Sequence, residues 1–269
     1  MRYLASVLAL FLASGAALAA PPADPLNSPM WADMVERVLG GGEVVFDNTV
    51  KVAVPSVVEN QAQVPVTADA RGLSGVRKLV VFADLNPIQH VLTLTPGKSA
   101  PYISFRMKVE QGTPIRAAAQ TADGVWHVGG VYLDAAGGGC SAPAMARNEE
   151  SWSTTLGQTQ GRIWRDVTGL ARMRLRIRHP MDTGLARDNT PAYYIEQVKL
   201  SSGSGVPLAT LEMFEPMSED PTVTLMMPLG ASESSVNVEG RDINGGVYRS
   251  HVPAPGRQSH LAVPHPANA

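Results

Sequence analysis

Hydrophobic and polar residues alternate with a period of two over most of the chain. The pattern is clearest in RMRLRIR, where Met173, Leu175 and Ile177 would share one face of a strand and the intervening arginines the other. Twelve further segments of strand type are separated by turn residues. They are VKVAV, VPVTADA, RKLVVFADL, HVLTLTP, YISFRMKVE, PIRAAAQ and VWHVGGVYLDA before it, and YYIEQVKLSS, VPLATLEMF, TVTLMMPL, SSVNVEG and GVYRSHV after it. Short strands at this regular spacing predict an antiparallel β-sandwich followed by a second, smaller one.

A helix precedes the first strand. NSPMWADMVERVLGG has apolar residues at helical spacing, with Ser28 as N-cap, Pro29 at the first helical position and Gly40 at the end. We assign residues 20–43 to this helical segment and residues 44–140 to the first β domain.

Two stretches lack the alternation. The polar residues of 141–165 predict an interdomain linker, after which residues 166–252 form the second β domain. Residues 253–269 are rich in proline and polar side chains, which predicts a disordered tail.

The amino terminus has the layout of a secretory signal peptide. Arg2 precedes an apolar run that is too short to span a bilayer, and small residues lead to a cleavage site after Ala19. We therefore assign 1–19 to a signal peptide and expect a secreted, soluble mature protein with no membrane span.

Composition limits the classes of function. Apolar residues make up 44% of the 269 residues and charged residues 17%, as in an ordinary globular protein. The formal net charge of −2 gives no global attraction to nucleic acid. The single cysteine excludes an internal disulfide, although an exported protein could form one. A leftover thiol of this kind points to pairing with another molecule or to chemistry.

That cysteine, Cys140, follows three glycines: Gly137, Gly138 and Gly139. Glycine adopts many backbone conformations, so the segment has the composition of a flexible arm, and its extended residues would reach roughly 15–20 Å from the sheet. Since Arg147 is the only basic residue nearby, activation of the thiol is expected from a partner. The alternative is a tight glycine-rich turn that happens to contain cysteine.

Other chemistry has weaker support. Motifs of hydrolases, metalloproteases and nucleotide-binding enzymes are missing from the sequence. A blue-copper site would need two histidines beside Cys140 and Met145, and only the distant His90 and His127 could serve. The arginines at 172, 174, 176 and 178 are either a solvated strand face or a docking strip for an acidic partner or a small anion.

The sequence resembles the SoxYZ sulfur-carrier complex of thiosulfate oxidation. VPSVVENQAQVPVTADA, VVFADLNP, ISFRMKVEQGTPIRAAAQTADG and the closing GGGC resemble its cysteine subunit. IRHPMDTGLARD, YYIEQVKL and EGRDINGGVYRSHV resemble the partner subunit. The resemblance implies an all-β fold of two immunoglobulin-like β-sandwich domains with a short N-terminal helix, and a periplasmic location. It also implies covalent attachment of a sulfur intermediate to Cys140, on an arm formed by Gly137, Gly138 and Gly139.

The chain departs from that family in one respect. The family's subunits are usually separate and the arm ends the chain, whereas here it continues into a second domain. This fused form is similar to SoxYZ-like proteins associated with quinoprotein alcohol dehydrogenases. The resemblance therefore implies a non-enzymatic carrier without cofactor or metal, served by periplasmic redox enzymes: a heme protein and a hydrolase, or a quinoprotein dehydrogenase. The alternative is an accessory module of a quinoprotein (PQQ) alcohol dehydrogenase system.

Overall fold

The structure is a computed structural model, and it describes residues 21–148, 151–165 and 170–255. The signal peptide assigned to 1–19 and most of the predicted tail lie outside these ranges. The described helices are α1 (Trp31–Arg37), α2 (Trp152–Thr155) and a 3₁₀ turn at Met145–Asn148. The strands are β1 (Val44–Phe46), β2 (Lys51–Ala53), β3 (Val64–Asp69), β4 (Lys78–Ala83), β5 (His90–Pro96), β6 (Tyr102–Met107), β7 (Thr113–Gln120), β8 (Trp126–Leu133), β9 (Thr159–Arg165), β10 (Leu170–Ile177), β11 (Ile195–Ser202), β12 (Pro207–Met213), β13 (Thr222–Pro228), β14 (Ser235–Asp242) and β15 (Val247–Pro253).

The strands form two sheets, which the two predicted sandwich halves share. One sheet has nine strands in the order β1-β8-β7-β4-β5-β12-β11-β14-β15, and the other has six in the order β2-β3-β6-β13-β10-β9. Each sheet contains strands from both halves of the chain. The fold is all-β with two sandwich halves and a short N-terminal helix.

The halves meet edge to edge. In the nine-stranded sheet β5 pairs with β12, and in the six-stranded sheet β6 pairs with β13, both antiparallel. Leu94 lies opposite Leu211 at the first of these seams, and both side chains are fully buried. One apolar core runs between the sheets through both halves. The two halves therefore pack against each other within this single chain.

A second apolar cluster lies on the outer face of the nine-stranded sheet. Helix α1 places Trp31 and Met34 there, against Phe82 and Trp126 of the sheet. Both faces of β4 and β7 are consequently covered, which explains why their residues are buried almost without alternation. The helix begins at Trp31, two residues after the predicted start, although the Ser28 hydroxyl still accepts a hydrogen bond from the Met30 amide (3.3 Å).

A buried ion pair fixes the entry to this helix. Arg116 of β7 donates to Asp84 (2.9 Å) and to Asp24 (2.7 Å), and its guanidinium lies 4.6 Å from the ring centroid of Trp31. All three charged side chains are nearly excluded from solvent. The position of the amino-terminal segment is therefore specified by charge as well as by apolar packing.

The assignment of 141–165 to a linker was wrong for its last part. Thr159–Arg165 forms β9, at the edge of the six-stranded sheet and paired with β10. Only Ile163 of this strand is buried, so its sequence carries too little alternation to be recognised. Strand β1 was also missed, because its three residues are too few to show a period. At the other end, Pro253 closes β15 rather than opening a tail.

Within the described ranges, the helices are all too short and polar to cross a bilayer.

Candidate functional site: the cysteine clasp

The glycine segment lies against the residues that follow β6. The amide of Gly138 donates to the carbonyl of Glu110 (3.2 Å), and that of Gly139 donates to Val109 (3.0 Å). Gly137 and Gly138 have φ values of +100° and +87°, where side chains are disfavoured. A Cβ on Gly139 would lie 2.1 Å from the carbonyl oxygen of Gln61. The glycines therefore allow close backbone packing in this state, and flexibility of the arm stays a prediction.

Two side chains hold the backbone of Cys140, and we call them the cysteine clasp: Glu110 and Thr183. The Glu110 carboxylate accepts the amides of Cys140 (2.9 Å) and Ser141 (3.0 Å), together with the Ser141 hydroxyl (3.0 Å). The Thr183 hydroxyl donates to the carbonyl of Cys140 (2.6 Å). Because Glu110 belongs to the first half and Thr183 to the second, the cysteine is held where the halves meet.

The thiol itself is buried. Cys140 is 0% exposed, although it belongs to neither apolar cluster. Burial, helped by the negative charge of Glu110, raises the thiol pKa to about 12, and the charge of Lys108 opposes the shift. At neutral pH the docked thiol is therefore protonated and a poor nucleophile.

The solvent-reaching thiol expected from the sequence is consequently not what the structure contains. The arm is tied at both ends, since the chain continues from Cys140 into the second half. The backbone amides of Cys140 and Ser141 also donate to the charged Glu110 carboxylate, which is a stronger hydrogen-bond acceptor than water. Both effects favour the docked position.

Lys108 is a buried cation beside this site. It is 4% exposed, and its Nζ donates to the carbonyls of Met217 (2.9 Å), Glu215 (3.3 Å) and Met181. Burial lowers its pKa to about 8, while the negative charge that Cys140 would carry as a thiolate acts in the opposite direction. Lys108 thus ties the first half to two loops of the second half and places a positive charge near the sulfur.

The HPMDTG motif forms the other wall. Asp182 pairs with Arg147 (2.9 Å to Nε), Thr183 belongs to the clasp, and the His179 amide donates to Asp220 (3.0 Å). The His179 ring is buried, which lowers its pKa to about 4. Its Nδ1 accepts from the Met181 amide, and its Nε2 has no hydrogen-bond partner within the described part of the chain. The motif therefore shapes the loop that receives the cysteine.

The residues considered for a copper site are not brought together. His90, in β5, stacks on Phe214, with ring centroids 4.0 Å apart. His127, in β8, pairs with Asp47 (2.8 Å), and β7 and β4 lie between β8 and β5 in the nine-stranded sheet. Met145 is exposed. Over residues 21–148, 151–165 and 170–255, no cluster of three or more histidine, cysteine or acidic side chains could hold a metal.

Sequence reasoning missed Glu110, Lys108 and Thr183 as parts of the site. Glu110 and Lys108 lie about thirty residues before Cys140, and Thr183 lies 43 residues after it. Nothing in their local pattern indicates a common location. The only signal was that ISFRMKVEQGTP and HPMDTG both carried the family resemblance.

Fold and site together define a class: a β-sandwich protein that holds its one cysteine at the end of a glycine segment, between two joined halves. Residues 35–140 match the family model of sulfur oxidation protein SoxY, and residues 165–253 match that of sulphur oxidation protein SoxZ. The chain is a fused SoxYZ-like protein, with both domains of a sulfur-oxidation carrier in one polypeptide.

Solved structures give weaker likenesses. The sulfur carrier protein SoxY from Chlorobium limicola f thiosulfatophilum is 19% identical, with a TM-score of 0.35 over 39% of this chain and 91% of that one. A glycosyl hydrolase family 2 member from Bacteroides cellulosilyticus is 11% identical, with a TM-score of 0.23 over 75% of this chain and 28% of that one. Comparison with curated proteins found no similar sequence.

Proposed function

We propose that this protein is a non-enzymatic periplasmic carrier that binds a sulfur intermediate covalently through Cys140 and presents it to partner enzymes when the cysteine clasp opens. The observation that carries the proposal is the position of the cysteine. It is the last residue of the SoxY match, and its backbone is held by side-chain hydrogen bonds from two loops.

Opening the clasp has a moderate free-energy cost. Three hydrogen bonds to the Glu110 carboxylate and one from the Thr183 hydroxyl would be exchanged for bonds to water. With about 1.5 kcal/mol for each bond to a charged group and about 1 kcal/mol for the other, the total is on the order of 5 kcal/mol. The open state is then a minor but accessible population, of the size expected for local opening.

Release changes the chemistry of the sulfur. In the open state the thiol loses the burial that raises its pKa to about 12, and the pKa returns toward the ordinary thiol value of 9.0. Joining thiosulfate to the thiol forms a sulfur–sulfur bond, releases one proton and transfers two electrons to the heme partner. A docked thiol is protected from such reactions until a partner engages it.

Mass spectrometry of protein purified from its native periplasm tests the proposal. We expect a sulfur-containing adduct on the peptide that contains Cys140, removable by reductant, and none on a Cys140→Ser variant. A Ser141→Ala variant is the matched control and should still carry the adduct. Unmodified Cys140 in cells that are actively oxidising thiosulfate would contradict the carrier role.

The burial of the thiol favours a second candidate, an accessory module of a quinoprotein alcohol dehydrogenase system in which Cys140 serves only to join the halves. In that case Cys140→Ser would preserve full function in cells, since serine can make the same backbone hydrogen bonds. Loss of function in the same variant would favour the carrier.

A further inference from the structure

Four of the exposed arginines on the outer face of the six-stranded sheet form what we call the arginine face: Arg106, Arg162, Arg172 and Arg174. They belong to β6, β9 and β10, so the surface includes both halves of the chain. Strand β10 alternates completely, with its arginines exposed and the residues between them buried.

Within the described ranges, no aspartate or glutamate forms an ion pair with any arginine of the arginine face. By contrast, their neighbours Arg176 and Arg178 pair with Asp220 at 2.5 and 2.8 Å. Arg162 and Arg174 are also direct cross-strand partners in the β9–β10 ladder. Like charges at such a position destabilise a sheet, so folding alone gives no reason for the pair.

The remaining side chains of the surface suit an anion. Trp164 carries the guanidinium groups of Arg172 and Arg162 against its ring, at 4.6 and 5.2 Å from the centroid. Ser104, Thr222 and Thr224 add hydroxyl groups between the arginines. Three adjoining depressions of about 360, 300 and 210 Å³ follow the strands, sharing Arg174 and then Arg176, and no carboxylate of the described residues lines them.

We propose that the arginine face is the docking site for an extended acidic segment of a partner protein. Consecutive depressions fit an elongated ligand better than a single compact ion. The planar guanidinium group of arginine binds carboxylates through two parallel hydrogen bonds. Arginine and tryptophan are also the residues most enriched among those that dominate protein–protein binding energy.

Two strands of the arginine face lead toward the cysteine clasp. Strand β6 carries Arg106 and ends at Met107, shortly before Lys108 and Glu110, and β10 leads into the loop that contains Thr183. A partner held on the arginine face would therefore contact the strands that lead into the clasp. The use of this contact for delivery rests on the proposed carrier function, whereas the binding itself does not.

Fluorescence anisotropy with a labelled deca-glutamate peptide tests the binding. We expect saturable binding at low salt that weakens steeply as sodium chloride is added. The double variant Arg162→Gln/Arg174→Gln should weaken it at least about tenfold, as expected when charged contacts are lost. The matched control Arg241→Gln/Arg249→Gln removes two exposed arginines of the other sheet and should change binding less than about twofold.

A second measurement separates binding from folding. Because Arg162 and Arg174 repel each other, the double variant should unfold at the same or a higher temperature than the wild type. Cys140→Ser should bind the peptide like the wild type, so loss of the carrier role alone would leave this binding intact. An adduct on Cys140 without peptide binding would overturn the docking site and leave the carrier standing.

Three further outcomes would overturn the proposal. One is that the control double variant weakens peptide binding as much as Arg162→Gln/Arg174→Gln does. Another is displacement of the peptide by sodium sulfate or thiosulfate far below the ionic strength at which sodium chloride acts, which would make the surface a site for small oxyanions. The third is absence of peptide binding together with arginine-dependent binding to phosphatidylglycerol vesicles, which would make it a membrane-binding surface.

Discussion

The two halves of the chain are joined by two kinds of contact, paired strands and polar side chains. At the seams, β5–β12 and β6–β13 are linked by backbone ladders over a shared apolar core. At the cysteine clasp, loops are linked by a few polar side chains around Cys140. A strand seam cannot part without exposing core to water, whereas the clasp can exchange its bonds for bonds to water. The seams should therefore stay formed in the native protein, whereas the cysteine clasp can open.

The largest expected effect concerns the seam. Replacing Leu211 by alanine removes a fully buried side chain opposite Leu94 and should lower the free energy of unfolding by about 3 kcal/mol, more than a hundredfold in the equilibrium constant. Urea unfolding followed by tryptophan fluorescence and circular dichroism should show one shared transition. Leu185→Ala, at an exposed position beside the clasp, is the control and should cost far less. Two separate transitions would show that the seam does not unite the halves.

The pH dependence of the thiol comes next. Since the docked thiol has a pKa raised to about 12, its thiolate should increase about tenfold per pH unit through and beyond pH 9, or about a hundredfold between pH 9 and 11. Alkylation by iodoacetamide should follow this rise, while the urea-unfolded protein should level off near its ordinary pKa of 9.0. By the same linkage, the part of the free energy of unfolding that depends on this thiol is complete below pH 9 and is progressively lost from there toward pH 12. A plateau near pH 9 in the native protein would indicate an exposed thiol.

The clasp can be weakened at Glu110. Glu110→Ala removes the acceptor for three hydrogen bonds and a negative charge near the sulfur, so both opening and thiolate formation become easier. Alkylation at pH 8 should accelerate at least about tenfold. The rate of Glu110→Gln should lie between those of the wild type and Glu110→Ala. Urea unfolding should still show one transition, because the seam is intact. Glu196→Gln, at a half-exposed carboxylate that pairs with Arg241, serves as control. An unchanged rate would mean that Glu110 does not hold the arm.

The contrast between seam and clasp also explains what the sequence could predict. Apolar periodicity is a local property, so thirteen of the fifteen strands and helix α1 could be located from it. The two missed strands, β1 and β9, bury one residue each and have almost no period. The clasp could not be found in this way, since Glu110 and Thr183 become neighbours of Cys140 only after both sheets have formed.

The glycines show how the same residues allow two predictions. Three consecutive glycines predicted an arm, because glycine permits many conformations. In the docked state, Gly139 is needed because the Gln61 carbonyl leaves no room for a Cβ. The sequence shows only that residue 139 has no side chain. The reason, the close approach of the Gln61 carbonyl, is a tertiary contact that the sequence does not show. Both roles are compatible with an arm that docks tightly and is then released.

The smallest effect should come from the second-half side of the clasp. Thr183→Val keeps the shape of the side chain and removes the hydroxyl that donates to the Cys140 carbonyl at 2.6 Å. A single neutral hydrogen bond contributes about 1 kcal/mol, so alkylation at pH 8 should accelerate about fivefold. Thr154→Val, whose hydroxyl bonds only within its own exposed turn, is the control and should leave the rate unchanged. If Thr183→Val matched the rate of Glu110→Ala, the two residues would act as one cooperative unit. If it had no effect, the clasp would belong to the first half alone, and the second half would have no direct hold on the cysteine backbone.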